Sequence, residues 1–165
     1  MKNKKIAFFI NSINLGGAEK QISLLMNELA SDKKNSIFLI TLDNSKKDYY
    51  KLNNKRIERY TCNQKRKKKF INKLINTIGL ILKIRSIIIN IRPNTIVGFL
   101  PVPSVIMIIA SLGVRCKKII SIRNNPNYLN IGFLWKILYK FSFKFYNTIV
   151  VQTSELKLFY KKKIY

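Results

Sequence analysis

Short apolar runs alternate along this chain with longer stretches in which apolar residues recur every third or fourth position. Lys5–Asn11 contains Ile6-Ala7-Phe8-Phe9-Ile10, apolar on both faces, which predicts a central buried strand of a parallel sheet. A helix is expected from Ala18, after Gly16-Gly17. It carries Ile22, Leu25, Met26 and Leu29 on one face and Glu19 in its first turn, where a carboxylate suits the positive helix end. Asp32-Lys33-Lys34-Asn35 breaks that pattern; Ser36–Leu42 then reads as a second strand, Asp43–Lys55 as a polar loop and Arg56–Thr61 as a short third strand. Gln64–Arg92 reads as one long basic helix, and Thr95–Phe99 as a strand. Val102–Leu112 follows as a helix stopped by Gly113. Lys117–Ile122 predicts a strand, Arg123–Asn130 a polar loop, Ile131–Phe145 a helix and Thr148–Val151 a last strand, with Ser154 capping a helix over Glu155–Lys163.

Strands alternating with helices imply an α/β fold, a Rossmann-like parallel sheet flanked by helices, with ligand sites beyond the carboxyl ends of the strands. A chain of 165 residues suits a single domain over 1–165, and it holds no internal repeat and no Gly/Ser-rich linker. Two segments invite a membrane reading. Met1–Lys5 followed by Ile6–Ile10 has the outline of a signal peptide, but Asn11, Ser12 and Asn14 break the run and no small-residue cleavage site follows. Ile96–Val114 is uncharged and long enough to span, yet Pro101 and Pro103 interrupt it, so a strand, a proline turn and a core helix explain it better.

Composition narrows the chemistry. Hydrophobic content of 47% excludes a disordered tail, and the formal charge of +25 favours anionic partners. Histidine is absent, which excludes a His-dependent triad, a His-ligated zinc and an imidazole base. Cys62 and Cys116 lie far apart with no Cys-x-x-Cys spacing, so reduced thiols are expected and no metal site. The most specific local feature is a strand, then Asn11-Ser12-Ile13-Asn14-Leu15-Gly16-Gly17-Ala18-Glu19-Lys20, then a helix. The two glycines serve either a tight turn at positive φ or close approach of a phosphate or sugar to the helix start. The spacing fits neither a Walker loop nor a dinucleotide fingerprint.

In order and spacing, four segments resemble the amino-terminal half of family 4 GT-B glycosyltransferases. They are the Gly-Gly-Ala-Glu-Lys loop with Ser36–Thr41 after it, Arg92–Leu100, Ile120-Ser121-Ile122-Arg123-Asn124-Asn125-Pro126, and Thr148–Ser154. The third is similar to the Ser-x-Arg-Asn-x-Pro segment of members that build bacterial surface polysaccharides. The resemblance implies one half of a GT-B fold and a retaining hexosyltransferase. Such an enzyme moves sugar from a nucleotide-sugar, a substrate rather than a cofactor, to a lipid-linked or polysaccharide acceptor. Gly16 and Gly17 would contact the donor phosphate or sugar, and Arg123 with Asn124 would be catalytic. An arginine suits that place, because its planar fork pairs bidentately with phosphate and stays charged. Relatives carry acidic residues where Ile122 and Asn125 stand, and some carry a histidine in this segment. The carboxy-terminal nucleotide-sugar domain and its Glu-x(7)-Glu pair are not among these residues, so the expectation is a truncated chain, inactive alone, or one completed by a separately encoded partner.

The long helix adds a membrane expectation. Asn72, Asn76, Gly79, Lys83, Ser86 and Asn90 trace one narrow polar stripe, and the rest is largely Ile, Leu and Phe with Arg85 among them. A broad apolar face behind Lys67, Lys68 and Lys69 suits an anionic membrane surface, which would put the protein in the cytoplasm on the inner face of the membrane. By the resemblance, Arg85 would meet a lipid pyrophosphate; the plainer reading is a core helix with Arg85 snorkelling. Two other classes remain open. A basic nucleic-acid-binding α/β domain is allowed by the charge and by Tyr128, Phe133 and Trp135, but no recognised nucleic-acid motif appears, so nucleic acid is not the expected partner. A small protein with spans at 74–91 and 96–114 is the third.

Overall fold

The structure, a computed structural model, describes residues 4–43, 48–62, 70–123 and 131–164. Among the described residues six strands and five α-helices follow in this order: β1 (Lys4–Ile10), α1 (Gly17–Ser31), β2 (Asn35–Thr41), β3 (Ile57–Thr61), α2 (Phe70–Ile91), β4 (Thr95–Phe99), α3 (Pro101–Ala110), β5 (Lys117–Ile122), α4 (Phe133–Ser142), β6 (Thr148–Val151) and α5 (Ser154–Ile164). The strands form one sheet in the order β3-β2-β1-β4-β5-β6, and every pairing is parallel. Order reverses between β1 and β4, the switch point where such sheets open a crevice at their carboxyl edge.

The central strands are apolar on both faces because both faces are covered. Phe8, Ile10, Ile37, Leu39, Val97 and Phe99 pack against Ala18, Ile22, Met26 and Ala30 of α1. On the opposite face Ala7, Phe9, Phe38, Ile40 and Ile96 meet Leu80, Ile84, Ile88 and Ile91 of α2 and Ile106, Met107 and Ile108 of α3. A third cluster joins Ile120, Ile122 and Val105 to Tyr139 of α4 and Tyr160 of α5. The uncharged run 96–114 is thus a paired strand followed by a buried ten-residue helix, as the prolines implied. Leu74–Ile91 is long and apolar enough to cross a membrane by length and composition, but its inner face belongs to the core.

Three asparagines pin the frame. The Asn94 side-chain oxygen accepts the Lys5 N–H at 2.8 Å, while its backbone N–H donates to the Lys5 carbonyl at 2.9 Å. Asn147 repeats this with Lys118, at 2.8 Å for both bonds. Asn27 of α1 donates to the Lys51 carbonyl at 3.2 Å and accepts the Asn53 N–H at 3.0 Å, fixing the segment before β3.

Several boundaries differ from expectation. The fourth helix ends at Ser142 and passes through a 3-10 turn at Phe143–Phe145. The last helix is capped by Thr153, whose Oγ1 accepts the Leu156 N–H at 3.2 Å, and Ser154 is its first residue. Gly113 has φ +76°, the left-handed conformation expected after a helix end.

Candidate active site

β1, β4 and β5 end side by side, and the segments after them make the candidate site. After β1 the chain runs through 11–16 into α1, with Gly16 at the cap and Gly17 as the first helical residue. Gly16 is extended at φ 171°, and Gly113 is the only described glycine at positive φ, so the tight-turn explanation of Gly16-Gly17 does not hold. Backbone conformation does not require glycine here. A Cβ on Gly17 would meet nothing within 4 Å, whereas one on Gly16 would run into the Glu19 carboxylate, which folds back over it. Gly17 is exposed and no side chain caps α1, so its first-turn amides lack an intrahelical partner, a place suited to an anion.

After β4 the chain turns at Leu100, φ 67° and ψ 152°, before Pro101 opens α3. A branched residue at positive φ is strained, at roughly 1–3 kcal/mol for sparsely populated backbone regions. Gly98, just before, lets α3 lie against β4: a Cβ there would sit 3.0 Å from the Ser104 Cα and 2.6 Å from its Oγ. Neither position stands out in the sequence. A leucine gives no warning of positive φ, and Gly98 looked like part of a strand.

After β5 comes Arg123. Its guanidinium lies over the Phe99 ring, 5.6 Å from the centroid, and its Nε is buried without a hydrogen-bond partner among the described residues. Partial burial lowers its pKa from the ordinary arginine value, yet the group stays charged at neutral pH. Phe99 also packs in the cluster that holds Ile13 and Ala18 of the glycine loop. The glycine loop and Arg123 thus share one edge, separated by the end of β4; two strand spacings are about 10 Å. Asn124 and Lys67–Lys69 lie outside the described residues.

Arg85 is not brought to this edge. Its Nη1 donates to the carbonyls of Ala110 at 3.2 Å and Leu112 at 2.6 Å, neutralising the negative end of α3. That end belongs with the amino side of the sheet, where the Lys5 ammonium also holds the Ile91 carbonyl of α2 at 3.0 Å.

The outer faces of two helices are unusually apolar. Leu74, Ile75, Ile78, Leu82 and Ile89 of α2 are exposed and fall on the side opposite Leu80, Ile84, Ile88 and Ile91. With 22 residues α2 is about 33 Å long, against about 17 Å for a five-residue strand such as β4. The Ile91 end is held at the amino edge, and Leu80 is the first fully buried residue among those of α2 whose side chains are described. On α4, Phe133 (80% exposed), Leu134, Ile137 and Phe141 line the face away from Tyr139 and Ser142, and Lys136, Lys140 and Lys144 flank them. The four-residue spacing of Phe133, Ile137 and Phe141 is the sequence signal of this α4 surface. No Asp or Glu occurs between Glu58 and Glu155, so this whole helical layer is cationic.

No protein-family model matches the sequence. Over 158 residues the chain is 27% identical to a GalNAc-alpha-(1->4)-GalNAc-alpha-(1->3)-diNAcBac-PP-undecaprenol alpha-1,4-N-acetyl-D-galactosaminyltransferase of Campylobacter jejuni, covering 96% of this chain and 43% of that enzyme. Among solved structures, a Glycyrrhiza uralensis transferase, UGT73P12, complexed with glycyrrhetinic acid 3-O-monoglucuronide, matches 99% of the chain with a TM-score of 0.59 and 8% identity. A UGT transferase from Siraitia grosvenorii in complex with UDP matches 75% with a TM-score of 0.52 and 9% identity. The chain has the fold of one GT-B glycosyltransferase lobe. This lobe spans less than half of each relative: 43% of the Campylobacter enzyme, 47% of the Glycyrrhiza protein and 29% of the Siraitia protein. The expected Rossmann-like parallel sheet flanked by helices is the one observed.

Proposed function

We propose that this lobe is the acceptor side of a retaining glycosyltransferase of the family 4 type, which moves a sugar from a nucleotide-sugar to a lipid-linked or polysaccharide acceptor in bacterial surface glycan synthesis. One observation carries the reading: a glycine pair that the backbone conformation does not require faces the same sheet edge as a partly desolvated arginine. The likeness to an enzyme whose name specifies an undecaprenol-linked glycan supports the acceptor class.

In this reading a donor diphosphate, held mainly by a second lobe, meets the free amides of α1 at Gly17 and the Arg123 fork. Both stabilise negative charge as it develops on the leaving phosphate, and a desolvated cation does so more strongly than a hydrated one. The leaving diphosphate takes the acceptor proton, so no histidine is required. Asn124 follows Arg123 and would orient an acceptor hydroxyl. Glu19, folded over Gly16, would repel a phosphate placed there and so steers it toward Gly17. A second lobe, within a longer chain or as a separate one, completes the reaction.

The acid-free α2–α4 layer would rest on the anionic inner face of the cytoplasmic membrane. The exposed apolar face of α2 and the Phe133–Phe141 face would enter the interface, beside Lys67, Lys68 and Lys69. Arg85 adds positive charge to that layer while its Nη1 remains on α3.

Fusion of this lobe to the donor-side lobe of the Campylobacter enzyme, assayed for transfer of N-acetylhexosamine to an undecaprenyl-diphosphate glycan, tests the reaction. Transfer that falls at least about a hundredfold on Arg123→Ala is expected, as for loss of one charge-stabilising donor. Transfer indifferent to Arg123 would contradict the reading.

A further inference from the structure

Residues 48–56, ahead of β3, are held from several sides, although they form no helix or strand. Asp48 pairs with Arg59 of β3. The Tyr49 N–H donates to the Ile13 carbonyl at 2.8 Å, tying the segment to the glycine loop. Asn27 of α1 binds it at Lys51 and Asn53, and Tyr50 and Leu52 turn inward to the α1 core. A segment so anchored ordinarily turns its large side chains inward. Tyr49 does not: its ring stands edge-on to Tyr50, with centroids 5.0 Å apart and planes at 78°, yet the residue is 63% exposed.

Position gives this exposure meaning. Tyr49 follows β2 at the carboxyl edge, beside the loop that carries Gly16 and Gly17, and Leu15 of that loop is also exposed. A pyranose presents one face of C–H groups and a rim of hydroxyls. A fixed aromatic ring with a polar tip matches both: the ring covers the apolar face and the phenol bonds the rim. Because the backbone around Tyr49 is already tied down, little ordering remains to be done on binding.

We propose that Tyr49 is the stacking platform for a sugar ring of the glycan acceptor. This rests on the acceptor-side reading above and assigns that reading a residue and a ligand part: a pyranose ring, one or more residues from the lipid. The Tyr49 main-chain bond to Ile13 keeps the platform in register with the glycine loop, so stacking there sets how far the acceptor's terminal hydroxyl extends toward Arg123.

Saturation-transfer and amide-shift NMR on the intact chain, with a short α-linked N-acetylhexosamine oligosaccharide as probe, tests this. Saturation should pass to the sugar C–H protons. Tyr49→Ala should weaken binding by roughly tenfold, while Tyr49→Trp and Tyr49→Phe stay within about threefold, as expected for an aromatic contact. A UDP-sugar titration on the same samples separates the two levels. Oligosaccharide binding unchanged in Tyr49→Ala, with UDP-sugar still shifting Gly17, would overturn the platform and leave the acceptor-side reading standing. No oligosaccharide binding by the unsubstituted chain at millimolar probe would overturn both.

Discussion

The guanidinium of Arg123 lies over the ring of Phe99, 5.6 Å from its centroid, at the place where β4 and β5 end. The ring lies against the cation, whose Nε has no hydrogen-bond partner among the described residues. Exposed cation–π pairs contribute about 0.5–1 kcal/mol, so Arg123→Ala should cost little stability in urea denaturation. Arg123→Lys should stack on Phe99 nearly as well but fail to restore transfer, since an ammonium lacks the bidentate fork. Full rescue by lysine would show that charge alone matters there.

Gly17 separates folding from function more sharply. Alanine is the better helix former by about 0.8–1 kcal/mol in a helix interior, and a Cβ at Gly17 meets empty space. Gly17→Ala should therefore leave thermal stability unchanged or slightly raised, while it lowers affinity for a nucleotide-sugar. A loss of stability would mean that the glycine serves the fold.

Gly98 and Leu100 make the opposite case, positions where the fold is tightly constrained. Gly98→Ala drives a methyl against the Ser104 backbone, and a destabilisation of about 1–3 kcal/mol is expected from overpacking. Leu100→Gly should be more stable than Leu100→Ala by about 1 kcal/mol, because both lose the side chain but only glycine relieves the positive φ. Equal stabilities would mean that the turn relaxes at no cost.

Burial raises the phenol pKa values of Tyr139, Tyr146 and Tyr160 above the ordinary value. A group whose pKa is higher folded than unfolded contributes stability that is complete below the unfolded value and lost as pH rises through the folded one. Melting temperature should therefore fall as pH is raised past about 10, the unperturbed tyrosine value. A Tyr139→Phe, Tyr146→Phe, Tyr160→Phe triple variant should lose less over the same range. An identical fall would assign the loss to other groups.

Leu74→Ser, Ile78→Ser and Leu82→Ser together replace exposed residues of α2 opposite its buried face. Thermal stability should change little, and co-sedimentation with anionic vesicles in moderate salt should drop severalfold, because apolar insertion is not screened. Binding that persists through these changes but vanishes in salt would reduce the contact to charge alone.

Much of this architecture was legible in the letters. Ile6–Ile10 read as a central strand because both its faces are apolar, and it is central; Thr95–Phe99 read as a strand and is its neighbour. The strand order could not be read, since pairing depends on contacts distant in sequence such as Asn94 with Lys5. The glycine loop and Arg123 stood out as chemistry, but their common edge follows only from β1, β4 and β5 lying together. The bonds of Arg85 were not legible: the resemblance implied a lipid pyrophosphate, and its Nη1 donates to the carbonyls of Ala110 and Leu112. Leu100 and Tyr49 gave no signal, because neither backbone strain nor an exposed ring in an anchored loop leaves a mark on residue type.

Amide chemical shifts of the 15N-labelled chain, followed as a UDP-N-acetylhexosamine is added to millimolar concentration, test the central claim most directly. The account predicts shifts concentrated at Gly16, Gly17, Leu100 and Arg123, all reduced in Arg123→Ala. Shifts confined to residues away from the carboxyl edge, or none at all, would contradict it.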